Sequence, residues 1–288
     1  MNFADYQKLG EVNWSTLKSM AESPMQYHHD LTHPKKETPA MALGKAVHCA
    51  VFEPDDFPRR YLMLPLGIDR RTTKGKDAYA AAQKAAEGRE LITTLQYNRC
   101  LAIRDAVRSH SKAGIYLEKG TAEQVMVWTD PATGIKCKGR YDFHSDVSPC
   151  LLDLKVIRSI NRRLFSSACI TFGWHGQAAF YRRGWAELHG GVVEPFRFIC
   201  VKSTEPHDVV VRTLAEDGEF GSSMKLGEQL VDRLLRQLAE CRAADKWPGQ
   251  YPEGEETFDL PRYAFTESDD SQMDLLAAEG ESLMEEVI

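Results

Sequence analysis

The sequence predicts a mixed α/β fold in which a central mixed sheet is flanked by helices, and three observations support it. Three period-two segments follow one another between residues 121 and 157, separated only by short turns. Two shorter strand-like segments, Phe196 to Lys202 and Val209 to Leu214, return after a helical stretch. Helical patterns precede, interrupt and close this set, so the order is helices, three strands, helix, two strands, helix, with no internal repeat.

The first predicted helix runs from Trp14 to Glu22, with Asn13 or Ser15 as its cap and Ser23-Pro24 as its stop. The apolar segment Pro39 to Phe52 reads as a helix that ends before Pro54. It carries one imidazole, His48, four residues after Gly44 and therefore on the same face, where the glycine lets another group approach. Taken alone, that position is more often filled by a histidine satisfied within the core. Residues 69 to 76 form a basic loop, with Arg70, Arg71, Lys74 and Lys76 as candidates for phosphate contacts or as a solvated surface. An alanine-rich helix then starts near Asp77, and another covers Thr93 to His110.

The three strands run from Thr121 to Trp128, from Ile135 to Phe143, and through Leu151 to Ile157, with turns at Asp130 to Gly134 and Asp146 to Pro149. They form an antiparallel meander. Arg162 to Leu188 is mostly helical, and Gln177 and Tyr181 share a face because they are four apart. A long helix from about Ser222 to Ala244 completes the body.

With 288 residues, 43% of them hydrophobic, the chain can bury a substantial core. No apolar run approaches the roughly 20 residues needed to span a bilayer, and Met1 to Tyr6 lacks a secretory pattern, so a cytoplasmic protein is expected. Seven scattered cysteines without a Cys-x-x-Cys pair disfavour disulfides, zinc ribbons and iron-sulfur clusters. The net charge of −6 conceals an asymmetry: residues 253 to 288 hold twelve acidic residues against one arginine, −11, which leaves +5 on the preceding 252. A mildly basic body suits a nucleic-acid partner. The acidic tail, 253 to 288, reads either as a partner-binding arm with a short amphipathic helix at Met273 to Met284 or as a solvated terminus.

The chemistry concentrates in Gly139-Arg140-Tyr141-Asp142 and Leu152-Asp153-Leu154-Lys155. On a strand, Asp153 and Lys155 point to one face while Leu152, Leu154 and Val156 point to the other. A charged pair on an apolar strand is costly to bury unless it is used. A strand-edge salt bridge is the alternative.

These residues, with Ser15-Thr16-Leu17, Ser23-Pro24, Ala42 to His48 and Gln177-Ala178-Ala179-Phe180-Tyr181 in the same order, resemble the PD-(D/E)XK nucleases, and within them the exodeoxyribonuclease VIII (RecE-type) exonucleases of phages and prophages. The similarity runs from about Trp14 to Ala244. Tyr141 stands where the motif has proline, and Asp153 where many relatives have glutamate. Ser23 occupies the place of a cluster-ligating cysteine found in some RecB-like relatives, which argues against an iron-sulfur cluster.

The resemblance implies a restriction-endonuclease-like core: one nuclease domain over 1 to 252, helical to about 115 and catalytic from about 116. It implies Mg²⁺ or Mn²⁺, two ions per site, because phosphodiester hydrolysis needs charge stabilised on both the attacking and the leaving oxygen. Asp142, Asp153 and the Leu154 carbonyl would be ligands, His48 would serve the second metal or one of its waters, and Glu123 is a further acidic candidate. Lys155 would orient or help deprotonate the attacking water. Gln177 and Tyr181 would hold the lysine or the DNA backbone, and Arg140 joins the phosphate candidates. The implied activity is 5′-to-3′ degradation of linear double-stranded DNA, leaving 3′ overhangs for recombination. The implied assembly is a homo-oligomeric ring working with a single-strand annealing protein. A RecB-like single-strand or flap nuclease, and a catalytically silent DNA-binding protein of the same fold, are the rivals.

Overall fold

The structure is a computed structural model and describes residues 3–33, 36–65, 67–68, 71–251, 254–255 and 257–259. Arg70 and almost all of the acidic tail, with its expected amphipathic helix, lie outside the described residues.

The N-terminal part is helical. A short α1 (Phe3–Lys8) precedes α2 (Trp14–Leu17), which continues as a 3₁₀ turn over Lys18–Ala21. Asn13 caps α2 as expected, its Oδ1 accepting from the Thr16 N–H at 2.9 Å. Ser23-Pro24 does more than stop this segment. The Ser23 hydroxyl accepts from the Gln26 N–H, and Pro24 opens the helix α3 (Pro24–Thr32), an arrangement that suits a residue with no N–H to satisfy.

Next comes α4 (Pro39–Phe52), with the predicted bounds, followed by α5 (Phe57–Arg60) and β1 (Tyr61–Met63). The basic segment is shorter as a loop than expected. Thr72 caps α6 (Thr73–Ala85), so Lys74 and Lys76 belong to the first turn of that helix. β2 (Glu90–Ile92) pairs in parallel with β1, a small sheet that sequence reading missed because each strand has three residues. Thr93 and Gln96 form a capping box at the start of α7 (Thr94–Ser109), and α8 (Ala113–Tyr116) leads into the sheet.

The five-stranded sheet has the order β3 (Gly120–Thr129), β4 (Lys136–Ser145), β5 (Cys150–Ile157), β6 (Phe196–Lys202), β7 (Val209–Thr213). β3, β4 and β5 form the antiparallel meander, β6 lies parallel to β5, and β7 is antiparallel to β6. The sheet is therefore mixed. The crossover from β5 to β6 is two helices rather than one, α9 (Arg162–Thr171) and α10 (Trp174–Leu188), because Gly173 takes a left-handed conformation with φ of 70° and breaks the run. The last helix is α11 (Ser223–Ala244). No helix among the described residues is long and apolar enough to cross a membrane.

Alternation on the strands sorts the interior into two layers. Leu152, Leu154, Ile199 and Val201 pack with Val47, Phe52, Ile103 and Val107 of α4 and α7. On the other face Leu151, Phe198 and Cys200 pack with Trp14, Phe180, Leu234 and Leu238. All seven cysteines are buried and unpaired, consistent with small apolar fillers.

α10 and α11 approach so closely that a Cβ on Gly227 would lie 2.2 Å from the His175 carbonyl oxygen. That atom is backbone and cannot swing aside. Gly227→Ala should therefore destabilise the protein by about 1–3 kcal/mol through overpacking. An unchanged urea midpoint in the alanine variant would contradict this close approach.

Candidate active site

The meander is irregular at one place, and the candidate site is there. The β4–β5 ladder runs from Ser145↔Cys150 to Phe143↔Leu152 and stops, one rung short of Asp142 and Asp153. Beyond that rung the strands part. Val12 takes up the vacated edge of β4, with its N–H donating to Lys136 O and its carbonyl accepting from Lys138 N–H. On β5 the freed Leu154 N–H donates to Asp142 Oδ2 at 2.8 Å. On its other side the register steps from Ala122↔Phe143 to Gln124↔Tyr141, which places Glu123 opposite Asp142. Glu123 has a φ of 54°, a conformation that costs a non-glycine residue of order 1 kcal/mol and recurs at functional sites.

The predicted residues converge on this gap. His48, one turn after Gly44 on α4, places Nδ1 3.3 Å from Asp142 Oδ2. His48, Glu123 and Asp142 each offer a ligand atom within 4.8 Å of the others. Lys155 Nζ lies 2.7 Å from Asp153 Oδ2 and donates to Gln177 Oε1 at 3.0 Å, while Gln177 Nε2 donates to Asp153 Oδ1 at 2.8 Å. Gln177 therefore clamps carboxylate and ammonium together. Asp153 is 3% exposed.

Two cavities meet here. One of about 270 Å³ is lined by Asp153, Lys155, Gln177 and Trp174, the other of about 490 Å³ by Glu123, Arg140, Lys45, Glu53, Arg60 and Tyr61. Gly44, His48 and Asp142 line both. In the second cavity the cations are matched by carboxylates: Arg140 Nε is 3.0 Å from Glu123 Oε2, and Arg60 makes a bidentate pair with Glu53. A cavity of comparable size, about 460 Å³ between α9, β7 and α11, is lined by no carboxylate.

Electrostatics reflect the crowding. Burial works against the His48 imidazolium, but Asp142 and the neighbouring acids outweigh it and raise the pKa to about 9. Burial, reinforced by Asp142 and only partly offset by Arg140, lifts Glu123 to about 7. Burial would also raise Asp142, yet His48 and the Leu154 N–H hold it below the ordinary carboxylate range. Asp153 goes the other way, raised by burial despite Lys155.

The remaining sequence candidates are placed differently. Tyr181 lines neither cavity, although its phenol is hydrogen-bonded to Gln177. Its ring lies against Gly139, where a Cβ would come within 3.2 Å of Cε1, and burial raises its phenol well above the ordinary value. Arg71, Lys74 and Lys76 are exposed and line neither cavity. Sequence reading missed Trp174, Lys45, Glu53, Arg60 and Tyr61. For Trp174 a signal existed: it stands three residues before Gln177 and so shares its helix face.

The donor set fits a hard divalent ion. Carboxylate oxygens dominate, one imidazole is in reach, and the cluster has no thiolate. His48, Glu123 and Asp142 would hold an ion, and Asp153 and Leu154 line the smaller cavity together with Asp142.

Among curated proteins no relative matches the chain. A solved structure that does match is the crystal structure, at 2.19 Å resolution, of a candidate exonuclease from Eubacterium rectale, with 14% identity, a TM-score of 0.59, and coverage of 90% of this chain and 93% of that one. At that identity the likeness shows the fold alone. The profile of a PDDEXK-like domain of unknown function (DUF3799) matches residues 13–257, from the residue that caps α2 past the end of α11. Sheet order, acidic gap and family match agree, and the chain belongs to this PDDEXK-like family, with the fold of the PD-(D/E)XK nucleases.

Proposed function

We propose that the protein is a metal-dependent exonuclease that degrades linear double-stranded DNA from the 5′ end and leaves 3′ single-stranded overhangs for recombination. The observation that carries the nuclease part is the Asp153–Gln177–Lys155 clamp set beside Asp142 and His48 where β4 and β5 separate. The neighbouring fold described as a candidate exonuclease supports the mode of action. Substrate and polarity rest on the ordered motifs that resemble exodeoxyribonuclease VIII.

When bound, Mg²⁺ or Mn²⁺ supplies Lewis-acid stabilisation of the charge that develops on the phosphate oxygens. The chain does the rest. Asp142, Asp153, Glu123 and His48 fix where that positive charge sits. Lys155, anchored by Asp153 and Gln177, orients the attacking water and, as an ammonium, helps its deprotonation by stabilising the hydroxide left when the proton passes to solvent. Arg140 and the Lys45–Arg60 side of the second cavity face the DNA backbone. A homo-oligomeric ring would keep the enzyme on its substrate, and an annealing protein would take the exposed strand, with the acidic tail as a candidate contact.

Linear duplexes labelled at either end, nicked and closed circles, single strands and flaps, all digested with Mg²⁺, test the reading. Loss of the 5′ label as mononucleotides, with closed circles spared, is the expected result. Cleavage confined to single strands or flaps would replace it with the RecB-like alternative, and no cleavage of any substrate would leave a silent DNA-binding protein.

A further inference from the structure

We infer that Trp174 is a positioning residue for Lys155: its indole face, together with Gln177 one helical turn on, fixes the ammonium group that the proposed chemistry depends on. The inference rests on the nuclease reading of this site and adds a residue to it.

A lysine is a poor tool unless held. Its ammonium sits on a flexible four-carbon stem, and Lys155 retains 15% side-chain exposure at the cavity wall. Asp153 and Gln177 restrain Nζ from two directions. Trp174 supplies a third, with Nζ 5.0 Å from its ring centroid, inside the range of a cation–π contact, and Phe198 a fourth at 5.9 Å. Held in this way, Lys155 lines the cavity together with Trp174, Asp153 and Gln177.

Trp174 is itself rigidly placed. It is the first residue of α10, set by the left-handed Gly173, and its ring packs on Phe165 and Phe172 at centroid distances of 5.5 Å each. The Trp14 ring closes over the same turn: a Cβ at Gly176 would lie 2.2 Å from Trp14 Cη2. Trp174 and Gln177 occupy positions i and i+3 of one helix, so a single turn delivers both restraints. The functional pattern thus begins at Gly173-Trp174, upstream of the Gln177 to Tyr181 segment.

The test compares Trp174→Phe and Trp174→Leu with the wild type for Mg²⁺-dependent cleavage. It also follows the Lys155 Hε resonances in lysine-¹³C-labelled protein, assigned with Lys155→Arg. The indole ring current should shift those protons upfield in the wild type. The expected result is that kcat falls about tenfold for leucine and less for phenylalanine, KM stays within about twofold, and the upfield shift disappears in the leucine variant. Unchanged kcat, a defect confined to KM, or Lys155 resonances that do not move would each overturn the inference. If the leucine variant fails to fold, the phenylalanine variant decides: its weaker ring current should reduce the upfield shift and kcat together, and an unchanged kcat or unmoved Lys155 resonances would overturn the inference. A wild type without cleavage would refute the nuclease reading, and the resonance shift would still decide whether Trp174 positions Lys155.

Discussion

Asp153→Asn is expected to lower metal-dependent cleavage by roughly a thousandfold or more while the melting temperature stays within a few degrees of wild type. The first part follows from geometry: the carboxylate stands beside Asp142 at the gap and holds Lys155 at 2.7 Å. The second follows from the direction of its pKa. Burial raises the folded-state value above that of the unfolded chain, so the native state favours the neutral acid. Ionised Asp153 is therefore a burden on the fold above about pH 4. Asparagine removes the burden together with one ion pair, and the two effects oppose each other. Activity and stability should separate, as they do where a site is strained for use. Lys155→Ala should behave differently. It leaves Asp153 beside Asp142 without its own cation, so both cleavage and melting temperature should fall. Mg²⁺ should raise the melting temperature of the wild type by binding the native state, less so for Asp153→Asn, and not at all for Asp142→Asn. Full cleavage by Asp153→Asn, or its collapse to an unfolded chain, would contradict this account.

Much of this site was legible because strands alternate. Asp153 and Lys155 had to share a face of β5, and Leu152 and Leu154 had to leave it; the two packing layers follow that division. Asp142 was placed on the neighbouring strand by the meander, and the helix period put Gly44 beside His48. What remained hidden came from contacts between distant segments. Nothing local to Glu123 announces a positive φ; it arises where the β3–β4 ladder skips the rung at Asp142. The Arg60–Glu53 pair and Tyr61 reach the second cavity only because α5 and the short β1 fold back on α4. Likewise, the exposure of Lys74 and Lys76 follows from Thr72 capping a helix four residues earlier than the alanine content suggested. Tyr181, on the same face as Gln177, points to the sheet because Gly139 leaves room for its ring.

Divalent-metal affinity should rise steeply with pH, by about tenfold per unit between pH 7 and 9 if His48 is a ligand. In the metal-free protein His48 titrates at about 9 and is an imidazolium at neutral pH, held there by Asp142. A nitrogen that donates to metal must first lose that proton. Glu123, at about 7, contributes a smaller release near neutrality. Stability should run the opposite way without metal. A raised folded-state pKa gives stability that is complete below the unfolded value and is lost as pH climbs through the folded one. The loss therefore begins above about pH 4.5 for Glu123 and above about 6.5 for His48, and ends near 7 and 9 respectively. Metal-free protein should weaken over that span while the metal-loaded form does not. Titration calorimetry with Mn²⁺ in buffers of different ionisation enthalpy measures the protons released, and close to one is expected at pH 8. In His48→Gln the slope should flatten to the contribution of Glu123 alone. If the wild type released no proton, His48 would be acting as a cationic partner of Asp142 and the ion would be held by carboxylates only.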